Sequence, residues 1–350
     1  MKSAASYADH IIAISQYSVA ELVEYYKIQQ LNIFKKIDYE WFYNKTTPKY
    51  KQAGFMNLIL ENVPLIFGDR VIEKGFRKAF KGDWGSEKHT KRPGLLQDLS
   101  RLSSFDALFI RQSTEVNNEA YAFARKAQQE GIAIIDYPEA ILKCCNKVYM
   151  AEALQNANIN TPKTIIVHKD NRQTVINLIG LPCVLKAPDS TFSFGVKKAK
   201  TEDEYNALVS QMLKESDLII AQEFCPSSYD WRIGIIDDKP FFACKYYMAK
   251  DHWQIYNWNA SKKDDQDGNA DCLPIEKVPK KVLSMALKSA KLMGKGLYGI
   301  DIKVIDNVPM VIEINDNPNI DFGVEDRYYG DAVYIEVLNA FKKRLESHEN

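Results

Sequence analysis

The sequence has no excess of either charge: its 350 residues include 46 lysines and arginines against 46 aspartates and glutamates. A chain without a positive surplus is not built mainly to neutralise nucleic-acid phosphates or to coat an anionic membrane, so we expect neither partner. A run of about 18 apolar residues is also absent, which excludes a hydrophobic membrane span. The apolar residues 11–14 follow Asp9 and His10 and do not predict a secretory signal. We therefore expect a cytoplasmic protein.

The six cysteines form no C-x-x-C pair, and most of them lie inside apolar runs. Their spacing predicts neither a zinc site nor a disulfide framework. We expect free, buried cysteines in a reducing compartment. Apolar residues make up 46% of the chain and charged residues 26%, which is typical of globular proteins. At about 150 residues per domain, the length predicts two or three domains.

Four segments follow from the pattern along the chain. Residues 1–36 contain neither glycine nor proline, so we predict a helical segment there, which could pack against a second copy of the chain in a homo-oligomer. Residues 37–140 would form an α/β domain, residues 141–225 a central lobe and residues 226–350 a C-terminal lobe.

A β-α-β unit is predicted from residue 105 onwards. Residues 105–110 form an apolar run of strand length, a helical repeat of apolar residues ends at Gly131, and residues 132–135 form a second apolar run. Two such runs joined by a helix predict a parallel sheet. Arg111 follows the first run, at the sheet edge where α/β proteins bind ligands. It is therefore a candidate for binding a substrate carboxylate, with an inter-lobe salt bridge as the alternative.

The rest of the chain predicts two α+β lobes. Strands are expected at residues 164–167, 183–187, 218–224, 231–236, 241–248, 298–305 and 310–314. Helices are expected from Asn146 to about 156, near 174–179, from Thr201 to about 213, and over 281–292. The last four strands are typical of an antiparallel sheet. The predicted fold class is thus a parallel α/β lobe followed by two α+β lobes.

The C-terminal hairpin contains the strongest chemical signal. Apolar residues alternate with Asp301 and Lys303 in its first strand and with Glu313 and Asn315 in its second. With a three-residue loop at 306–308, Asp301 would lie opposite Glu313, and Asn315 would follow on the same face. A two-residue loop would place one carboxylate among isoleucines at a high cost in free energy. Two carboxylates and an amide oxygen suit Mg²⁺ bridging phosphates, although a chance polar face is the alternative.

Two lysines and a polar loop indicate a phosphate site. Lys186 ends a predicted strand, and the hydroxyl-rich loop 189–195 follows it. An ammonium group and backbone N–H groups can together bind a polyphosphate. Lys147 lies at a predicted helix start. Taken alone, each lysine is as well explained by a solvated surface position.

The end of a later strand could bind a nucleoside. The run Gln222-Glu-Phe-Cys225 closes an apolar strand and is followed after four residues by Asp230-Trp-Arg232. A strand end between two lobes can offer backbone donors and acceptors to an adenine edge, and Asp230 could accept a hydrogen bond from a ribose hydroxyl.

The order of these motifs resembles the ATP-grasp superfamily, and within it the RimK-type carboxylate–amine ligases, over about residues 105–325. The runs that carry the resemblance are Phe-Ile-Arg-Gln-Ser-Thr (109–114), Cys-Cys-Asn-Lys-Val-Tyr (144–149), Asp-Trp-Arg (230–232) and Asn-Asp-Asn-Pro-Asn (315–319). The resemblance implies an ATP-grasp fold that holds ATP between its last two lobes. Residues 37–140 would then be the domain that precedes them, in a subgroup with an extra N-terminal region.

The resemblance also implies roles for individual residues. Those implied to bind ATP are Lys147, Lys186, Ser190, Ser193 and Gly195 at the phosphates, Gln222, Glu223 and Phe224 at the adenine, and Asp230 at the ribose. Those implied to hold Mg²⁺, for which Mn²⁺ can substitute, are Asp301, Glu313 and Asn315. Arg232 and Lys186 would act in catalysis. The implied substrate-binding residues are Arg111, Lys245, Asn257 and Asn317.

The implied function is ATP-dependent ligation of a carboxylate to an amine. The γ-phosphate of ATP would activate the carboxylate as an acylphosphate, and an amine on an amino acid or peptide would then form an amide. Three alternatives stay open: a macrocyclase that forms ester or amide rings on a ribosomal peptide, an enzyme that stops at phosphoryl transfer, and a nucleotide-binding module without turnover. The complete set of two acids and an amide argues against the last.

Overall fold

The structure, a computed structural model, describes residues 11–15, 99, 102–104, 107–111, 114–189, 195–257, 259–262, 265–321, 324–330 and 332–348. The chain divides into two compact units. The first unit comprises Met1–Pro138 with Gly330–Asn350, and the second is Glu139–Tyr329.

The described elements, numbered in chain order, are as follows. The strands are β1 (Ile11–Ser15), β2 (Ala107–Arg111), β3 (Ala133–Ile135), β4 (Thr164–Val167), β5 (Cys183–Lys186), β6 (Val196–Ala199), β7 (Ile219–Glu223), β8 (Tyr229–Ile236), β9 (Lys239–Tyr247), β10 (Ala270–Cys272), β11 (Leu297–Ile305) and β12 (Val308–Asn315). The helices are α1 (Glu119–Gln129), α2 (Pro138–Cys145), α3 (Lys147–Asn156), α4 (Arg172–Ile179), α5 (Glu202–Met212), α6 (Lys280–Met293) and α7 (Ala332–His348). None of these helices has the length and apolar character needed to cross a bilayer.

The first unit contains a parallel sheet in the order β1-β2-β3, which confirms the predicted β-α-β unit. Helix α1 joins β2 to β3, and its first turn is capped by Asn118, whose side chain accepts a hydrogen bond from the Tyr121 N–H. Its buried face contains Phe123 among three alanines. Helix α7 also belongs to this unit, since Arg344 donates a hydrogen bond to the carbonyl of Ile134 at 2.7 Å.

The helical prediction for residues 1–36 is wrong at β1. Residues 11–15 form a strand that pairs with β2 along its whole length, from Ile11 with Ala107 to Ser15 with Arg111. A short apolar run fits a buried strand as well as a helix, and the ladder of hydrogen bonds offered by β2 decides between them. The other residues of this segment lie outside the part of the chain that the structure describes.

A four-stranded sheet and two helices form the central part of the second unit. The order is β4-β7-β5-β6, with every neighbouring pair antiparallel. Helices α4 and α5 cover one face, where Leu185, Ala221 and Tyr205 belong to one buried cluster. Because side chains alternate between faces, Lys186 and Gln222 lie on the other face of this sheet.

A five-stranded antiparallel sheet in the order β10-β9-β8-β11-β12 forms the rest of the second unit and confirms the predicted antiparallel sheet. Helix α6 packs on one of its faces through Val282, Ala286 and Ala290. The strand side chains in this cluster include Ile300 and Ile302. The polar side chains of the same strands are therefore on the opposite face.

Two of the cysteines differ from the prediction. Cys244 on β9 and Cys272 on β10 lie opposite each other in the ladder and are joined by a disulfide. The expectation of free cysteines is wrong for this pair, because a sequence separation of 28 residues hides the adjacency that strand pairing creates. Cys144, Cys145, Cys183 and Cys225 are free thiols.

Candidate active site

The hairpin of β11 and β12 places two carboxylates side by side. Asp301 pairs with Glu313 in the strand register, and Gly299 pairs with Asn315 two residues further along. Asn315 therefore lies on the same face as Glu313. Its amide donates a hydrogen bond to Asp301 Oδ2 at 3.3 Å. The predicted juxtaposition of the two acids and the amide is confirmed.

The predicted three-residue loop is wrong. Ile305 pairs with Val308, so the turn has two residues, Asp306 and Asn307, both with positive φ. The register shifts between Asp301 and Ile302, where the ladder passes from Val311 to Glu313. This β-bulge inserts one extra residue and returns Glu313 to the face of Asp301. The bulge thus does what the longer loop was expected to do.

Two ammonium groups act on Glu313. Lys147, the first residue of α3, places Nζ 2.8 Å from Glu313 Oε1. Helix α3 starts there because Asn146 caps it, accepting the Tyr149 N–H at 3.0 Å. Burial works to raise the pKa of Glu313, but the charges of Lys147 and Lys186 outweigh burial and hold this pKa below its usual value.

Lys186 is, like Lys147, a buried cation of the site. Its position at the end of β5 leaves only 9% of it exposed. Burial lowers its pKa from 10.5 to about 8, against the opposing attraction of Glu313. Burial makes the charged form of Lys186 unfavourable when no ligand is present. A bound anion would stabilise that charged form.

A cleft of about 370 Å³ brings these groups together with Gln222 of the predicted nucleoside-binding motif. Its charged and polar walls are formed by Lys147, Lys186, Gln222, Thr164 and Glu313. Two cations, one anion and an amide around one concave space can bind a phosphorylated ligand.

Asp301 has a fixed partner instead of a pair of lysines. Arg232 on β8 holds it by two hydrogen bonds, Nε to Oδ1 at 2.5 Å and Nη2 to Oδ2 at 2.9 Å. Burial raises the pKa of Asp301, although the guanidinium group opposes this effect. Gly299 gives Arg232 the room it needs, because a Cβ at this residue would lie 2.9 Å from the Arg232 Cδ and 2.7 Å from the Pro318 Cβ.

The donor set fits a divalent cation. Carboxylate and amide oxygens are the ligands that Mg²⁺ prefers, and Asp301, Glu313 and Asn315 supply all three from one face of one hairpin. Both acids are neutralised by basic partners, and each carboxylate retains lone pairs for a metal ion. Among the described residues, no three His, Cys, Asp or Glu side chains are grouped to hold a metal. The third oxygen donor of this set is accordingly the Asn315 amide.

The predicted nucleoside-binding motif lies at the end of β7. Gln222 donates a hydrogen bond to Thr164 Oγ1 at 2.9 Å, and the Glu223 backbone N–H donates to the Lys163 carbonyl at 2.8 Å. The ring of Phe224 meets the ring of Trp253 edge to face, with centroids 5.8 Å apart. Lys198 places its ammonium group over both rings, at 4.3 and 4.9 Å from their centroids.

Asp230 is buried on β8, on the same face of the sheet as Arg232. Lys303 contacts its Oδ1 at 2.6 Å, and Ser227 donates a hydrogen bond to the same oxygen at 3.0 Å. Lys303 and Asp230 have opposite effects on Lys186. The charge of Lys303 lowers the pKa of the Lys186 ammonium group, and the charge of Asp230 raises it.

Two other predicted residues of the second unit, Lys245 and Asn257, do not line the cleft. Lys245 lies over Tyr229 and Trp231, on the sheet face opposite Arg232. The Asn257 side chain accepts a hydrogen bond from the Asn259 N–H within its own turn. Arg111 ends β2 in the first unit, with its guanidinium group 5.5 Å from the Phe109 ring centroid.

Three further predicted residues belong to loops. Asn317 is half-buried, two residues beyond the end of β12. Gly195 has a positive φ, and its carbonyl accepts the Ala187 N–H at 3.0 Å. Ser190 and Ser193 lie outside the described residues.

Two functional candidates were missed at the sequence level. Tyr256, not its neighbour Asn257, interacts electrostatically with Arg232 and Asp301, and burial raises the pKa of its hydroxyl. Nothing in the run 254–257 distinguishes the tyrosine. Gly299 was detectable, since a glycine inside a strand often marks the close approach of another group.

Comparison with known proteins agrees with this geometry. A model of the RimK-like ATP-grasp domain matches residues 144–340, which is more than half of the chain. The chain belongs to the RimK-like ATP-grasp family. It is therefore an ATP-grasp carboxylate–amine ligase, and enzymes of this kind use ATP with Mg²⁺. The predicted fold, enzyme class and use of ATP are confirmed.

Individual relatives of this RimK-like chain are distant. A probable alpha-L-glutamate ligase of Vibrio vulnificus (strain YJ016) is 26% identical over 228 residues, covering 64% of this chain and 72% of the relative. One from Teredinibacter turnerae is 24% identical over 240 residues, covering 67% and 76%. D-alanine–D-alanine ligase from Bacillus anthracis superposes with a TM-score of 0.60 at 17% identity, covering 73% of this chain and 86% of that one. This last likeness shows the ATP-grasp fold.

Proposed function

We propose that this RimK-like ligase joins L-glutamate to an amino acid or peptide, with the described cleft as its ATP site. The observation that supports the site is the single concave space lined by Lys147, Lys186, Gln222 and Glu313. Two cations suit phosphates, Gln222 is the first residue of the predicted nucleoside-binding motif, and Glu313 belongs to the acidic pair of the hairpin. The printed name of the Vibrio relative supports glutamate as the amino-acid substrate.

In this proposal the two lysines neutralise the triphosphate. Phosphoryl transfer needs positioning and charge neutralisation more than covalent help from the protein. Lys147 would exchange its ion pair with Glu313 for a phosphate oxygen, and Lys186 would regain the charge stabilisation that burial denies it.

Asp301, Glu313 and Asn315 would hold Mg²⁺, which supplies charge neutralisation at the phosphate oxygens. Arg232 would keep Asp301 oriented by its two hydrogen bonds. A guanidinium group has five N–H donors, so Arg232 can also stabilise the charge that develops when the amine attacks. Asp230, held by Lys303, is the proposed partner of the ribose.

The test is ADP release from ATP and Mg²⁺ across pools of amino acids and dipeptides, followed by product mass. We expect release to require glutamate together with a second substrate, and the product to gain one glutamate residue. Release with one substrate alone would indicate phosphoryl transfer, and loss of one water from a single peptide would indicate macrocyclisation. Either result would contradict the proposal, as would ADP release that ignores glutamate.

The assignment of residues needs its own measurement. Replacing Lys186 with Met should weaken ATP binding, while replacing Lys169 with Met, an exposed lysine outside the cleft, should not. Equal ATP affinity in both variants would contradict the placement of the phosphates, whatever the substrate proves to be.

A further inference from the structure

The fixed pair of Arg232 and Asp301 has a support behind it. The Arg232 guanidinium carbon lies 5.1 Å from the centroid of the Tyr246 ring. Tyr246 stands on β9 and is 7% exposed. An aromatic ring against a guanidinium group attracts it and restricts the plane in which the group can lie. The ring can therefore influence how Arg232 presents its donors to Asp301.

Tyr246 is itself held by a buried acid. Its hydroxyl donates a hydrogen bond to Glu325 Oε1. The other oxygen, Oε2, accepts the backbone N–H of Asp321 at 2.6 Å. Glu325 is 1% exposed, so it is too deeply buried to contact a substrate itself. A carboxylate is costly to bury even with partners, and an apolar residue would fill the same space at a lower cost.

A continuous series of contacts thus runs from a loop to the acidic hairpin. Asp321 holds Glu325, Glu325 holds Tyr246, Tyr246 supports Arg232, and Arg232 holds Asp301. Each step is a directional contact. Residues that orient metal ligands from behind commonly affect metal affinity about 10- to 100-fold.

We propose that Glu325 and Tyr246 are positioning residues that act through Arg232 to orient Asp301 toward the divalent cation. This inference rests on the proposed role of Asp301. It explains why an acid is buried in the loop behind the site. It also assigns a role to Tyr246, which no sequence motif singled out.

The test uses the intact chain and Mn²⁺ as the metal probe. Mn²⁺ binding is measured by electron paramagnetic resonance in the presence of ADP, for Tyr246→Phe, Glu325→Gln and the double variant. Tyr246→Phe keeps the ring beside Arg232 and removes only the hydroxyl. We expect each single change to weaken Mn²⁺ binding about 10-fold. Affinity for ADP without metal should not change.

The double variant distinguishes a connected series from separate effects. The hydroxyl and the carboxylate act through one hydrogen bond. The double variant should therefore lose no more Mn²⁺ affinity than the single variant that binds Mn²⁺ less tightly. Additive losses, or unchanged Mn²⁺ affinity in both single variants, would overturn the proposal. A general loss of folding would lower ADP affinity as well, and this result would also count against a positioning role.

The chain offers a matched control. Tyr247, the next residue, donates a hydrogen bond to Asp271 Oδ2 at 3.0 Å but points to the other face of the sheet. Tyr247→Phe should leave Mn²⁺ affinity unchanged. Asp301→Asn separates the two claims. If Asp301→Asn does not weaken Mn²⁺ binding, the metal assignment fails. If Asp301→Asn weakens Mn²⁺ binding but Tyr246→Phe and Glu325→Gln do not, only the proposed role of Glu325 and Tyr246 fails.

Discussion

The two acids of the hairpin occupy one register position on neighbouring strands, yet their surroundings differ. Asp301 is held by one arginine through two hydrogen bonds. Glu313 is held by a lysine at 2.8 Å, with a second lysine close enough to influence its pKa. Burial leaves the pKa of Asp301 raised, whereas the two ammonium groups lower that of Glu313.

The difference separates two sides of the site. The rigid side is Asp301 with Arg232, and the exchangeable side is Glu313 with Lys147 and Lys186. A bidentate arginine over an aromatic ring keeps one geometry. A lysine is a point charge on a flexible side chain. Its ammonium group can move from a carboxylate to a phosphate and be paired with an anion in both positions. In the proposed function, the Glu313 side is therefore suited to receive ATP, and the Asp301 side to keep a proposed metal ligand in place.

The largest expected effect comes from the exchangeable side. Glu313→Gln keeps the shape of the side chain but removes the charge opposite Asp301. We expect turnover to fall by at least about 10³-fold, because Mg²⁺ would lose a proposed carboxylate ligand and with it the position from which it offsets transition-state charge. The measurement is ADP release at saturating ATP, with circular dichroism to show that the fold is intact. Undiminished turnover would defeat the metal assignment.

Lys186 should be the next most sensitive residue. Lys186→Met should raise the KM for ATP about 10- to 100-fold, since hydrogen bonds to charged groups contribute about 1.5–3 kcal/mol. Lys186→Arg should raise the KM for ATP less than Lys186→Met does, because arginine keeps the positive charge. A methionine variant with an unchanged KM would place the phosphates elsewhere.

The lowered pKa gives Lys186 a pH signature. With a pKa of about 8 in the folded chain against 10.5 ordinarily, the folded protein binds fewer protons than the unfolded one between these values. The cost of burying the ammonium group is fully present below pH 8, and stability should rise with pH through this window. ATP affinity should fall over the same range. Thermal unfolding and ATP titrations across this pH range measure both quantities in the wild type and in Lys186→Met. The same pH dependence in the two proteins would contradict the assignment of the effect to Lys186.

How much of this comparison is visible in the sequence depends on the kind of contact. Alternation within β11 and β12, together with the cost of burying a carboxylate among isoleucines, is enough to predict that Asp301 and Glu313 meet. The two-residue turn at Asp306 and Asn307 and the bulge that compensates for it are not visible, because they give the same final register as a longer loop. The partner of Asp301 could not be predicted, since strand order brings β8 beside β11 from far along the chain.

Loop residues were harder to predict than strand residues for the same physical reason. Glu325 and Tyr256 lie in segments without periodicity, where nothing in the local sequence tells a buried polar group from an exposed one. Lys245 was predicted at the site, but alternation along β9 sends it to the face opposite Tyr246. A register was needed to choose between these two neighbours.

The rigid side can be disturbed without removing any charge. Gly299→Ala would place a methyl group against the Arg232 side chain and Pro318. We expect Mn²⁺ affinity to fall about 10-fold, because Arg232 could no longer lie across β11. Gly234→Ala, at the paired position on β8, meets the Phe242 ring instead and should lower the melting temperature while keeping Mn²⁺ affinity. Equal affinities in both variants would mean that Asp301 does not need Arg232.

The smallest expected effect tests a third kind of lysine, one whose partners are aromatic. Lys198 on β6 lies over Phe224 and Trp253, and burial lowers its pKa. Lys198→Met should raise the KM for ATP only about two- to fivefold, because an exposed cation–π contact contributes about 0.5–1 kcal/mol. kcat and Mn²⁺ affinity should not change. Lys197→Met, an exposed neighbour on the other face of β6, should match the wild type. A fall in kcat for Lys198→Met would mean that this ammonium group neutralises phosphate, and the exchangeable side would then extend beyond Lys147 and Lys186.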